Sequence, residues 1–248
     1  STGTGRILAA QCAGTVKKLS LELGGTSPFI IFDDASVDNA VNGVISSKFR
    51  NAGQTCICAN LILVQEPVYD IFINKLVAAV QKMNTGNGTE ENISIGPLIN
   101  DAALNKVKRL VEDAISNGAQ CLAGGTFSGL FYEPTVLSGI TKKMKLFSEE
   151  IFGPITPVIK FSTEEEALEI ANDSIYGLAA YFYSNDVSRC MRVAESLQYG
   201  IVGVNEGVVS TEVAPFGGIK QSGIGREGSR YGIEEYTELK YICYGNVR

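Results

Sequence analysis

Two of the cysteines in this sequence, Cys56 and Cys58, stand close together in the stretch Phe49-Arg50-Asn51-Ala52-Gly53-Gln54-Thr55-Cys56-Ile57-Cys58. The stretch follows a helical pattern, contains a glycine that permits unusual backbone geometry, and sets a thiol between an upstream cation and a downstream strand. A nucleophilic cysteine needs access and a lowered pKa, and Arg50 with nearby backbone amides would supply both. The alternative is a structural cysteine in a turn. A metal held by Cys56 and Cys58 would need two further ligands, and Cys12, Cys121, Cys190 and Cys243 have no ligand-like spacing, so no metal site is expected. Those four read as small buried hydrophobes in a reducing compartment.

The chain contains no histidine. That removes Ser-His and Cys-His pairs and every histidine-containing metal site, so a nucleophile here must use a carboxylate or a water as its base. Glu22 is one candidate: in Leu21-Glu22-Leu23-Gly24-Gly25 a charged residue interrupts an apolar strand that ends in two glycines. By strand alternation it faces water; as a partly buried group at a strand end it would have its pKa raised toward neutrality and serve as a general base. Arg50 likewise has two readings, a cation favoured at a helix C-terminus or a fixed charge for an anionic ligand.

The elements that must position these residues follow from the hydrophobic pattern. Short β-branched runs at 19–23, 28–32, 61–65, 134–140, 154–161, 178–183 and 200–205 and near the C-terminus read as strands. Between them, segments of helical period run over 37–50, entered through Asp33, Asp34 and Ser36 as caps, and over 67–83, 102–116, 164–172 and 187–197. This alternation is that of an α/β fold with a mainly parallel sheet flanked by helices. One body spans 25–220, and the flanks, each with one helix and one strand, look like pieces of something larger. With 248 residues, 45% of them hydrophobic, the chain can bury a sizeable core. A net charge of -6 argues against a nucleic-acid surface, and no apolar run is long enough for a membrane span. No signal peptide is read at the N-terminus, and the start at Ser1 suggests a processed or truncated chain.

Leu21-Glu22-Leu23-Gly24-Gly25, the Phe49–Cys56 loop, Glu149-Glu150-Ile151-Phe152-Gly153-Pro154 and Pro215-Phe216-Gly217-Gly218-Ile219-Lys220-Gln221-Ser222-Gly223 together resemble the aldehyde dehydrogenase superfamily in order and spacing, nearest to its succinate-semialdehyde dehydrogenases. The resemblance covers essentially the whole chain and implies its C-terminal, catalytic-domain half: 1–24 a remnant of the Rossmann-type NAD(P)-binding domain, 25–220 the catalytic domain, 221–235 a return segment, and 236–248 an oligomerisation strand. Gly223-Ile224-Gly225-Arg226-Glu227-Gly228 matches G-x-G-x-x-G but follows no hydrophobic strand, so it is not taken as a dinucleotide loop.

The resemblance also implies roles. Cys56 would attack the aldehyde, its backbone amide and an Asn upstream of this chain would hold the oxyanion, and Glu22 would activate the water that hydrolyses the thioester. The cofactor, NAD or NADP, would meet Ser1, Leu23, Gly24, Glu150 and Phe152. Arg50, Ser210 and Phe216 would meet the substrate, and Cys58 would form a reversible disulfide with Cys56. Most of the cofactor domain would lie outside these residues, so the chain alone is expected to bind NAD(P) weakly and turn over negligibly. A homo-oligomer, dimer or tetramer, is expected, in the cytoplasm, or in mitochondria if the source is eukaryotic.

Overall fold

The computed structural model describes residues 1–246. In chain order its elements are α1 (Thr2–Ala13), β1 (Leu21–Glu22), β2 (Ser27–Ile31), α2 (Val37–Lys48), β3 (Ala59–Gln65), α3 (Glu66–Val80), α4 (Asp101–Ser116), β4 (Gln120–Ala123), β5 (Phe127–Ser128), β6 (Phe131–Tyr132), β7 (Thr135–Ser138), α5 (Lys145–Ser148), β8 (Ile155–Phe161), α6 (Glu164–Asn172), β9 (Ala179–Tyr183), α7 (Val187–Ser196), β10 (Ile201–Val204) and β11 (Gly223–Ile224). Seven strands form one sheet in the order β10-β9-β2-β3-β8-β7-β4, parallel throughout except where β4 pairs antiparallel with β7.

Each central strand is apolar on both faces because helices cover both. Phe29, Ile31, Ile62, Val64 and Tyr181 point into one cluster with Val41 and Val44 of α2 and Phe72 and Leu76 of α3. Their neighbours Ile30, Leu61, Leu63 and Phe182 point into the other, with Leu104, Val107 and Leu110 of α4, Ala167 of α6 and Val193 of α7. The period of two along the strands and the helical period of the connections thus build three layers, the α/β architecture expected. No helix among the described residues is long and apolar enough to cross a membrane.

Several expectations are corrected. The helix expected over 37–50 ends at Lys48, and its expected caps do other work. Ser36 makes no capping bond, and the Asp34 carboxylate accepts from Ser184 Oγ, from the backbone N–H groups of Asn185 and Asp186, and from Arg189, tying the end of β9 to the start of α7. The strand expected at 19–23 shortens to two residues, because its only partner is the two-residue β11. Helical pattern after Gln221 yields only a 3-10 turn, Gly232–Tyr236. The expected oligomerisation strand is not a strand here: residues 238–244 are irregular and exposed, with Leu239, Tyr241 and Tyr244 facing outward. Extended backbone needs a ladder partner, and the single chain offers this segment none; its last two residues, 247 and 248, lie outside the described residues.

Candidate active site

The order β2-β3-β8 at the centre of the sheet explains how motifs far apart in sequence meet. Glu22 to Gly25 lead into β2, the Arg50–Cys58 loop leads into β3, and Glu149 to Phe152 lead into β8. The strands are parallel neighbours, so the segments entering them converge at one edge of the sheet. After α2 the chain turns through left-handed backbone at Asn51, Ala52 and Gly53. Gly53 is required twice over, by its φ of 75° and because a Cβ there would run into the carbonyl of Gly153. Gly25 lies so close to the Cys56 carbonyl that a Cβ would approach its oxygen to 2.6 Å. Glycine thus lets the β2 entry pass directly over the Cys56 peptide.

The two-residue ribbon of β1 and β11 pairs Glu22 with Gly223, so the rejected G-x-G-x-x-G stretch serves as the ladder partner of Glu22. Glu22 is half-buried, and both of its carboxyl oxygens are shut off from solvent with no hydrogen-bond partner. Burial, reinforced by the charge of Glu227 and opposed by Arg226, pushes its pKa up to about 7. A carboxyl poised near neutrality with free lone pairs can take a proton from a water.

The Cys56 thiol, also half-buried, corrects the expectation that Arg50 would lower its pKa. Burial raises it, and the facing carboxylates Glu22 and Glu150 and the Cys58 thiol raise it further, against a hydrogen bond from its own backbone amide that lowers it. The Arg50 guanidinium is directed elsewhere: Nη1 donates to Ser210 Oγ at 3.2 Å, joining the 3-10 turn before Cys56 to the loop after β10. Cys58 is buried and free, its Sγ lying 2.7 Å from Thr55 Oγ1 and donating to the Arg50 carbonyl at 3.8 Å.

Glu150 Oε1 accepts from the Gly25 N–H at 3.0 Å, and a Cβ on Gly24 would meet Oε2 at 2.9 Å. Glu150 borders a cavity of about 800 Å³ also lined by Lys106, Glu149, Asn172 and Tyr176. Phe152 has left-handed backbone, φ 53°, in the turn before β8. Leu23 donates its N–H to Ser222 O at 2.9 Å and packs its side chain on Gly5 of α1. Phe216 and Cys56 pack against the same core cluster. Ser1 is exposed and caps α1, its Oγ accepting from the Thr4 N–H. The structure therefore gathers Glu22, Gly24, Glu150, Cys56 and Cys58 into one cluster and joins Arg50 to Ser210, while Ser1 stands apart at the start of α1.

Three side chains that frame this cluster escaped sequence reasoning. Lys48 is 1% exposed; burial lowers its pKa to about 8, against the opposing influence of the neighbouring Cys58 and Glu150 side chains. Its spacing from Val41 and Val44 on the inward face of α2 was the available signal. Ser222 is fully buried, donates from Oγ to the Gly24 carbonyl at 2.7 Å and accepts from the Gly177 N–H. Asn60 precedes the apolar run Leu61 to Val64 of β3 and is 2% exposed.

Residues 1–242 match the model of the aldehyde dehydrogenase family. Over its whole length the chain is 56% identical to a mitochondrial succinate-semialdehyde dehydrogenase of Oryza sativa, of which it covers 47%, and 54% identical to a 3-sulfolactaldehyde dehydrogenase of Pseudomonas putida, of which it covers 51%. It superposes along its full length, with a TM-score of 0.98 and 58% identity, on an aldehyde dehydrogenase from Brucella melitensis, covering 52% of that chain. The chain thus spans about half the length of the relatives it matches. Its fold, its motifs and these matches agree: the chain belongs to the aldehyde dehydrogenase family.

Proposed function

We propose that this chain carries the nucleophile, the base and the substrate cation of an NAD(P)-dependent oxidation of an aldehyde whose far end is anionic, succinate semialdehyde above all. The observation that carries the reading is the Arg50–Ser210 pair held next to the Cys56 loop. A guanidinium with a hydroxyl partner recognises a carboxylate or sulfonate through charge-assisted hydrogen bonds. The names of the two relatives support it, since succinate semialdehyde ends in a carboxylate and 3-sulfolactaldehyde in a sulfonate.

In this reading Cys56 as thiolate attacks the aldehyde carbon to give a thiohemiacetal, and its backbone amide donates to the oxyanion. The raised thiol pKa keeps Cys56 protonated at rest, so Glu22 takes its proton as attack begins. Bound NAD or NADP would supply the hydride acceptor that oxidation of the thiohemiacetal to a thioester requires. Glu22, once it has given the thiol proton up to solvent, takes a proton from the water that attacks the thioester carbon; the carbon–sulfur bond breaks, the acid leaves, and the departing Cys56 thiolate regains that proton. The Glu150 carboxylate, which borders the 800 Å³ cavity, would accept from a ribose hydroxyl of NAD or NADP, and Ser1, Leu23, Gly24 and Phe152 would be the other residues that hold the cofactor. Phe216 lines the substrate side, and oxidation of Cys56 with Cys58 to a disulfide would remove the nucleophile. We assign 25–220 to the catalytic domain and 1–24 to the cofactor domain. The assembly is a homo-oligomer closed through the exposed apolar tail.

Arg50→Leu in the full-length enzyme is the test. We expect kcat/KM for succinate semialdehyde to fall by about 10- to 100-fold, the worth of one charge-assisted contact, and that for an uncharged aldehyde of similar length to hold. Equal losses on both substrates would overturn the assignment of an anionic tail. A cofactor-free assay on the chain separates the chemistry from the specificity: an activated ester should be hydrolysed, and Cys56→Ser should abolish that hydrolysis.

A further inference from the structure

Glu150 sits in a loop, yet the peptides on either side of it are held as in a sheet. Asn60, the second residue of β3, donates from Nδ2 to the Glu149 carbonyl at 3.2 Å and accepts at Oδ1 from the Ile151 N–H at 2.8 Å. Backbone pairing of β3 with β8 begins only at Ile62 with Val158. A side-chain amide presents the same donor and acceptor as a peptide. Asn60 therefore extends the β3 edge by one rung toward a segment that the backbone ladder does not reach. The surroundings leave little slack: Ile151 is fully buried, and Arg109 grips the Glu149 carboxylate with Nη1 and Nη2.

We propose that Asn60 is a positioning residue: its buried amide clamps the peptides of Glu149 and Ile151 and thereby holds the Glu150 carboxylate on Gly24 and Gly25, beside Cys56. A buried amide with both ends satisfied is rigid, because releasing either bond would leave a polar group without a partner. With both peptides fixed, the Glu150 side chain has a single origin and one direction toward the Gly25 N–H. The groups that face this carboxylate are Lys48 from α2 and Tyr176 from the turn before β9, and those that face Cys56 are Glu22, Glu150, Cys58 and Tyr181 of β9. For its consequence on cofactor binding the proposal rests on the reading of Glu150 given above; the clamp itself does not.

The test uses Asn60→Ala, Glu150→Gln and the double variant in the 248-residue chain. Two readings are taken, amide hydrogen exchange at Gly25 and the pH dependence of Cys56 alkylation by iodoacetamide. In Asn60→Ala the Gly25 amide should exchange about tenfold faster, having lost a hydrogen bond. The alkylation midpoint should fall by about half a pH unit, toward that of Glu150→Gln, as the carboxylate leaves the thiol. The double variant should add nothing to Glu150→Gln. Unchanged Gly25 exchange in Asn60→Ala overturns the proposal, as does a midpoint shift that persists undiminished in the Glu150→Gln background. Asn60→Ser, which also cannot span both peptides, gives the same two readings should the alanine variant fail to fold. Titration of NAD and NADP into full-length Glu150→Gln decides the ribose assignment separately, and unaltered affinity there would remove that role while leaving the clamp to the exchange data.

Discussion

Lys48→Met is expected to stabilise the chain at pH 7 by about 3 kcal/mol, since each unit of depressed pKa corresponds to about 1.4 kcal/mol. Lys48 lies at the end of α2 with 1% of its surface exposed, and burial lowers its pKa from 10.5 to about 8. The neighbouring Cys58 and Glu150 side chains offset only part of that penalty, and Lys106 adds to it. A lysine whose folded pKa is depressed binds its proton more tightly in the unfolded chain. Wild-type stability therefore carries the full penalty below pH 8 and recovers as pH rises from about 8 to 10.5. Methionine keeps a long flexible side chain and removes the charge, the kind of exchange that is neutral to stabilising at buried ionic positions. Urea unfolding at pH 7 and at pH 10 should show the variant ahead at the lower pH and the gap closing at the higher. A gap of the same size at both values, or none at pH 7, would mean that the ammonium is not held at a cost. The same exchange removes a positive charge that interacts with Glu150, so its stabilisation is expected at the expense of the site.

Much of the fold was legible because the sheet is covered on both faces. Runs such as Phe29 to Phe32 and Leu61 to Val64 are apolar at every position and still divide cleanly between the two clusters. The pattern failed where the strand partner was absent or minimal. Leu19 to Leu23 has strand composition, but only two residues find a partner in β11, and the tail around Tyr241 has none in the single chain. β4 lay hidden because its residues are exposed or half-buried and it runs antiparallel at the edge. Asp34 illustrates a different limit: an acid before a helix reads as a cap, and only the fold brings the Ser184–Arg189 segment within reach of its oxygens.

The candidate site was legible as residue types and not as electrostatics. A chain without histidine directs attention to Glu22, and the structure leaves that carboxyl with unpartnered oxygens near Cys56. Arg50, read first as the thiol's activator, turns to Ser210 instead, because the left-handed turn at Asn51 to Gly53 separates its side chain from Cys56. Lys48 escaped because it follows two serines at the end of a helix with many polar residues, and Asn60 because it is one polar residue ahead of an apolar run. Their roles depend on which loop the sheet order brings alongside, and the 149–152 segment lies some ninety residues downstream in sequence.

Glu22→Gln is expected to slow hydrolysis of an acyl group on Cys56 by about 10²- to 10⁴-fold, the usual contribution of a positioned general base. Glu22 faces Cys56, its oxygens are free, and burial, then the charge of Glu227, lift its pKa to about 7 despite Arg226. The active form of a base is the deprotonated one. The decay of the acyl group, followed after a single exposure to an activated ester, should thus accelerate with pH and level off above about 7. Acylation follows a different course, because it requires the Cys56 thiolate, which burial makes harder to form. Measuring decay alone isolates Glu22 from that titration. The glutamine variant should decay slowly with no inflection near 7, while its thiol still accepts the acyl group. The same raised pKa makes a second, independent prediction for stability. The folded chain holds this proton more tightly than the unfolded one, so the Glu22 contribution is present below about pH 4.5 and lost as pH rises through about 7. Glu22→Gln should flatten the stability profile across that interval. If decay kept its inflection near 7 in the glutamine variant, the base would be another group; among the described residues Glu150 is the other carboxylate facing the thiol.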